Sequence, residues 1–160
     1  GQARGAQRGR CADGAHRPLF AEPTPLHGHE WWDGDGQTVW YVHYGRGTCK
    51  VDLVTGGETV VIAHTPSHSH SAAGGLYLVS DFDCGGVFPK TLVTFYNMAS
   101  GRSVELVSAA GQPQKKSEGI HLHPHPRFCC GDRYITYTTT VTGRVSVAVV
   151  PVASLVEATA

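Results

Sequence analysis

No apolar run reaches the length of about 18 residues that a membrane-spanning helix needs, so the sequence offers no membrane partner of that kind. The N-terminal stretch carries charge but no apolar core, and does not read as a secretory leader. Net charge is also missing. Lys plus Arg and Asp plus Glu balance at 13 each, which removes the basic footprint of a nucleic-acid binder. A local basic cluster, Arg4, Arg8 and Arg10, sits in a tail poor in apolar residues. Residues 1–25 are therefore read as a disordered or non-native N-terminal extension. Charged residues are scarce, 16% against the roughly 25% of typical soluble domains. With 41% hydrophobic residues the chain is not disordered throughout and can bury one ordinary core. The five cysteines (Cys11, Cys49, Cys84, Cys129 and Cys130) are odd in number and lack framework spacing. That argues against a disulfide-stapled secreted domain and for a reducing, cytoplasmic setting. Phosphate-cradling Gly loops, a nucleophile elbow and paired-Cys zinc motifs are all missing.

No amphipathic helix of about ten residues or more is visible, and only Ala153–Thr159 reads as a turn or two of helix. What is present instead is a succession of short β-rich runs. Residues 38–42, 49–53, 59–62, 76–79, 91–96, 104–107, 134–139 and 145–150 are rich in β-branched and aromatic side chains. Glycine is abundant, 20 residues, and punctuates these runs. Three turn segments recur before a strand: Trp32–Gly36, Ser71–Gly75 and Phe128–Asp132. Each is a hairpin signature. A second turn type appears as Asp52–Gly56 and Asn97–Gly101, and Thr142-Gly143 supplies a further turn between strands. Units of roughly 40–50 residues with four strands each are the mark of propeller blades. The expected fold is thus all-β, a partial β-propeller of about three four-stranded antiparallel blades over residues 26–160. A closed propeller takes about 4–8 blades, so the chain reads as the C-terminal part of a larger propeller lacking the N-terminal blades that would close it. An ordinary β-sandwich with coincidental turns is the competing architecture.

Histidine, 10 residues, is clustered rather than scattered. The clusters are His27-Gly28-His29-Glu30, His68-Ser69-His70 with His64 just before it, and His121-Leu122-His123-Pro124-His125-Pro126-Arg127. Proline holds the last segment extended, so His121, His123, His125 and Arg127 point to similar sides. Two neutral imidazoles there can grip one metal, and the arginine can face an anion. Each cluster stands at an equivalent place in its blade, and equivalent places surround the axis of a propeller, so the three are expected to converge. Solvated or packed histidine is the plain alternative. Trp31, Trp32, Trp40 and Tyr41 could stack on a sugar ring, but blade-core packing accounts for them more simply. Asp81 and Asp83 share a face after a strand and could assist a site, though turn capping accounts for them more simply.

These stretches resemble the oligogalacturonate lyase family, seven-bladed propellers related to TolB-like repeat proteins. The similar segments are His27–Gly36, His68–Ser71 and His123–Phe128, within a resemblance that covers about residues 27–152. The resemblance implies Mn2+ held by His70, His123 and His125, with His68 as fallback ligand. It implies His29 as Brønsted base, with His27 as fallback. The family's glutamine ligand falls on Ile120, so His121 is the possible fourth ligand. Imidazole ligands also suit Zn2+ and other divalent metals. The implied reaction is β-elimination on short, acidic galacturonate-type oligosaccharides in pectin degradation, a branch of carbohydrate metabolism. The metal acts there as Lewis acid, the base takes the proton α to the carboxylate, and Arg127 meets a substrate carboxylate. The rival function is a non-catalytic TolB-like propeller serving as a binding or scaffold module.

Overall fold

The computed structural model describes residues 19–20, 27–64, 66–82, 91–108 and 123–160. The chain divides into two units, Gly1–Thr65 and Pro66–Ala160. Among the described residues no helix is long and apolar enough to cross a membrane.

The first unit is one antiparallel sheet in chain order: β1 (His27–Trp32), β2 (Thr38–His43), β3 (Gly47–Asp52) and β4 (Glu58–Ile62). The alternating β-branched and aromatic residues of β2 and β3 supply its core, where Tyr41, Cys49, Val51 and Leu53 are buried together. Leu19 and Phe20, the described pair within the segment read as an extension, pack against this cluster. The remainder of residues 1–25 lies outside the described residues. Trp40 is fully buried, stacks on Trp31 at 5.8 Å between ring centroids, and donates its indole N–H to Asp33 Oδ2 at 3.0 Å. Trp32, in contrast, is exposed. Tyr41 and Arg46 both donate to Glu58 Oε1. Burial and that bond push the Tyr41 hydroxyl pKa up. Gly47 has φ +125°, and a Cβ there would stand 1.9 Å from the Ile62 carbonyl oxygen, so only glycine lets β3 and β4 approach at this point.

The second unit holds two sheets. One is four-stranded and again in chain order: β5 (His68–Ser71), β6 (Tyr77–Phe82), β7 (Thr91–Asn97) and β8 (Arg102–Ser108). The other has three strands, β9 (Arg127–Cys129), β10 (Tyr134–Thr139) and β11 (Ser146–Pro151), with β10 in the middle. A helix, α1 (Val152–Ala158), follows β11 directly. The expected fourth strand is thus replaced. Pro151 ends β11 and occupies the N-cap position, and Val152 and Leu155 turn inward from the helix. Both sheets contribute to one core, in which Val79, Val93 and Phe95 meet Phe128, Ile135, Tyr137, Val152 and Leu155. The C-terminus is tied down as well: Asn97 Nδ2 donates to Thr159 Oγ1 at 3.2 Å, and Ser100 Oγ to the Thr159 carbonyl at 2.6 Å.

The two turn types recur as expected. At Asp52 and at Asn97 a side-chain oxygen accepts two following backbone N–H groups, and the glycine four residues on, Gly56 or Gly101, donates back to the carbonyl and carries a positive φ. The first strand of each sheet, β1, β5 or β9, meets its successor through the other turn type. Along β11, Val147 and Val149 face outward, 73% and 59% exposed.

Candidate metal centre

The second histidine cluster is itself a strand. In β5 alternate residues share a face, so His68 and His70 point the same way but stand roughly 6.6 Å apart along the strand. β6 runs antiparallel beside them, with Asp81 opposite His68 and Val79 opposite His70. The His-Pro segment leads into β9. Pro124 and Pro126 are buried, His123 is half-buried, and His125 and Arg127 are exposed. The prolines anchor this stretch and the alternate residues are offered outward, as two-residue periodicity requires. The Thr138 N–H donates to the Pro124 carbonyl at 2.8 Å, holding the segment to β10. His125 has φ +45°, a left-handed conformation uncommon outside glycine.

One ring nitrogen from each of His68, His123 and His125 lies within 4.8 Å of the others. Ring centroids are 5.0 Å apart for His68 and His123, 3.7 Å for His68 and His125, and 6.0 Å for His123 and His125. Metal–nitrogen bonds of about 2.0–2.2 Å bring ligand nitrogens to roughly 3–4 Å, so a small closure suffices. His68, the fallback of the sequence reading, therefore occupies the place in the trio that was given to His70. The reason is position along β5. His70, two residues further on, meets Phe128 instead: its Nδ1 accepts the Phe128 N–H at 3.4 Å, and the two rings lie 6.1 Å apart. Burial, with the charge of Arg127 second, pushes the His70 pKa down. His121 lies outside the described residues.

Asp81 was not among the site residues expected from sequence. It is fully buried in β6, and His68 Nδ1 lies 2.7 Å from its Oδ2. A proton on that nitrogen, with Asp81 as acceptor, would leave Nε2 as the atom of His68 able to meet a metal. A hairpin centred on Gly74 and Gly75 puts Asp81 across from His68, and that is the signal that points to it. Asp83 lies outside the described residues.

In the first unit, His29 sits where the pairing of β1 with β2 shifts register between Gly28 and Trp31. It has φ +57°, is exposed, and turns its ring edge-on to Tyr44 at 6.1 Å. A bulge of this kind re-aims a side chain, and such strained positions gather at functional sites. His27 is half-buried among Phe20, Tyr41 and His43, with ring centroids 4.8–5.1 Å away. Burial first, and then His43, lowers its pKa. Of the adjacent cysteines, Cys129 is half-buried and Cys130 exposed. A separate apolar groove of about 660 Å³, lined by Tyr77, Tyr134, Val152 and Val156 among others, contains no histidine.

Successive antiparallel sheets, each opened by a hairpin with a Gly/Asp-type turn, define a piece of a β-propeller, here with a three-histidine cluster that could hold a metal ion. Proteins it is similar to in both sequence and fold include oligogalacturonate lyases. Oligogalacturonate lyase of Dickeya dadantii (strain 3937) is 28% identical over 152 residues, covering 82% of this chain and 39% of its own length. A solved oligogalacturonate lyase in complex with manganese superposes with TM-score 0.68 at 22% identity, over 87% of this chain and 39% of the other. TolB from Acinetobacter baumannii gives TM-score 0.57 at 11% identity, over 78% of this chain and 29% of the other. The chain thus spans about two fifths of the length of the lyases it matches. No protein-family model matches it.

Proposed function

We propose that this chain carries part of the active centre of a metal-dependent lyase that cleaves short galacturonate-type oligosaccharides by β-elimination, as in pectin degradation. The convergence of His68, His123 and His125 carries the reading. Three imidazoles suit a first-row divalent ion, Mn2+ by analogy with the manganese-bound lyase, and Zn2+ is also compatible. His125 is exposed and His123 half-buried, which supports a site reachable by substrate. A catalytic metal site keeps a position open beside its protein ligands. When bound, the ion supplies Lewis acidity at the uronate carboxylate.

The remaining roles fall to side chains. His29 takes the C5 proton as general base. The released electron pair forms the C4–C5 double bond as the C4–O4 bond breaks, and O4 leaves with a proton from solvent. His29 is preferred to His27 because it is exposed, whereas His27 is packed among aromatic rings. Arg127, exposed beside the His-Pro segment, meets a carboxylate of the acidic oligosaccharide. A TolB-like binding module shares the fold, but a scaffold has no use for three converging imidazoles. The test is turnover. The product of the complete gene, loaded with Mn2+ and given di- or trigalacturonate, is expected to release an unsaturated uronate detectable by ultraviolet absorbance. Absence of that product with Mn2+ bound would overturn the reading.

A further inference from the structure

Asp81 is the feature of the centre that metal ligation alone does not explain. Its carboxylate is fully buried in β6 and takes part in three hydrogen bonds. Oδ1 accepts the His68 backbone N–H at 2.6 Å, Oδ2 accepts the His125 backbone N–H at 3.2 Å, and His68 Nδ1 lies in hydrogen-bond contact with Oδ2 at 2.7 Å. Two of these partners belong to one ligand residue and the third to another, 44 positions away from Asp81. Among the described residues no lysine or arginine forms an ion pair with it. A buried carboxylate whose basic partner is an imidazole rather than a Lys or Arg is costly to keep. The identity of its partners shows what it organises.

We infer that Asp81 is the positioning residue of the metal centre, fixing His68 as the Nδ1–H tautomer and tying the His123–His125 segment to β5 so that the ligand cluster is preformed. This deepens the lyase reading and rests on it for the identity of the ion. The mechanism has three parts. The Nδ1–H bond to a carboxylate orients the imidazole plane and raises the basicity of Nε2, as outer carboxylates do for metal-bound histidines. The bond to the His68 N–H locks the same residue at its backbone, so side chain and main chain are set by one group. The bond to the His125 N–H holds the left-handed turn at His125, without which the ring would leave the cluster. Nothing in this arrangement requires an ion to be present.

Asp81→Asn keeps the size of the side chain but replaces one acceptor oxygen with a donor, which conflicts with either the Nδ1–H or a backbone N–H. Two measurements test the role. In the metal-free 15N-labelled chain, two-bond correlations of the imidazole nitrogens should show His68 protonated at Nδ1, with the signal assigned by its loss in His68→Gln. In Asp81→Asn that proton should move to Nε2. Chelator competition with Mn2+ should show affinity weakened about 10–100-fold in Asp81→Asn, with circular dichroism unchanged. A wild-type His68 protonated at Nε2, or a variant that holds Mn2+ within about twofold of wild type, would overturn the inference. If wild type itself takes up no Mn2+, the metal reading fails separately, and the tautomer still decides the role of Asp81. The wild-type tautomer needs no variant, so a variant that fails to fold leaves that arm intact.

Discussion

The sharpest contrast lies between two histidines on one face of one strand. His68→Ala and His70→Ala remove the same side chain two residues apart, yet different effects are expected. Four-ligand structural zinc sites bind with about 10–16 kcal/mol, or roughly 3–4 kcal/mol per ligand. Mn2+ sits lower in the affinity order, so removing one of three imidazoles should cost about 3 kcal/mol, near a hundredfold in Kd. His68→Ala should therefore weaken Mn2+ binding by on the order of a hundredfold. His70 Nδ1 accepts the Phe128 N–H at 3.4 Å, a long bond, and its ring lies 6.1 Å from that of Phe128. Its loss should cost about 1–2 kcal/mol of stability and leave Mn2+ affinity within about threefold. Isothermal titration with MnCl2, paired with urea denaturation of each variant, separates the two quantities. Loss of Mn2+ binding in His70→Ala, with binding retained in His68→Ala, would refute the reasoning and restore His70 as the ligand.

Other expectations follow from packing and charge. Gly47→Ala forces a Cβ against the Ile62 carbonyl, so the urea midpoint should fall by an amount equivalent to about 2–4 kcal/mol; an unchanged midpoint would mean the β3–β4 approach is looser than described. Leu155→Ala empties part of the core beneath α1, a seven-residue helix too short to persist alone, and should cost about 2–5 kcal/mol in thermal or chemical melts. Burial lowers the folded pKa values of His27 and His64 below the ordinary 6.5. Between those values and 6.5 the unfolded chain binds more protons than the folded one, so stability should be full above about pH 6.5 and decline as pH falls through the lowered values. Melting with chelator at about pH 7.5 and pH 5.5 checks the sign, and His27→Phe should flatten part of the slope.

The strands inside each sheet were legible in the sequence and the edge strands that open each sheet were not, for one physical reason. β2, β7 and β10 are filled with Val, Phe, Tyr, Trp and Thr, which announce a pleated and half-buried surface. β5 and β9 are short, and β1, β5 and β9 carry histidine, serine and arginine where apolar residues would have marked them. That polar content includes His68 of the three-histidine cluster, so the residues that make these strands candidates for a site also hid them as strands. The choice between His68 and His70 could not be read from alternation, because both lie on one face of β5. What distinguishes them is what stands beside each: Asp81, His123 and His125 around the first, Phe128 against the second. Asp81 looked like a turn cap because Asp83 follows it and a glycine pair is near. Only the hairpin register places it opposite His68. The helix after β11 was visible as a short run at Ala153–Thr159. The three-stranded sheet before it was not, because strand composition does not reveal which neighbour a strand lacks.

The outer margin of β11 has a practical consequence at the bench. Among the described strands it has β10 on one side only, and Val147 and Val149 stand in solvent along it. Among the described residues no strand covers this margin, and a strand edge with valine beside it is a template for another strand. A concentrated stock of this chain should therefore lose material to its own copies, and the loss should grow with concentration and with time in storage. A lysine at position 147 would blunt that margin without touching the histidines, and would give the cleaner sample for every titration described above.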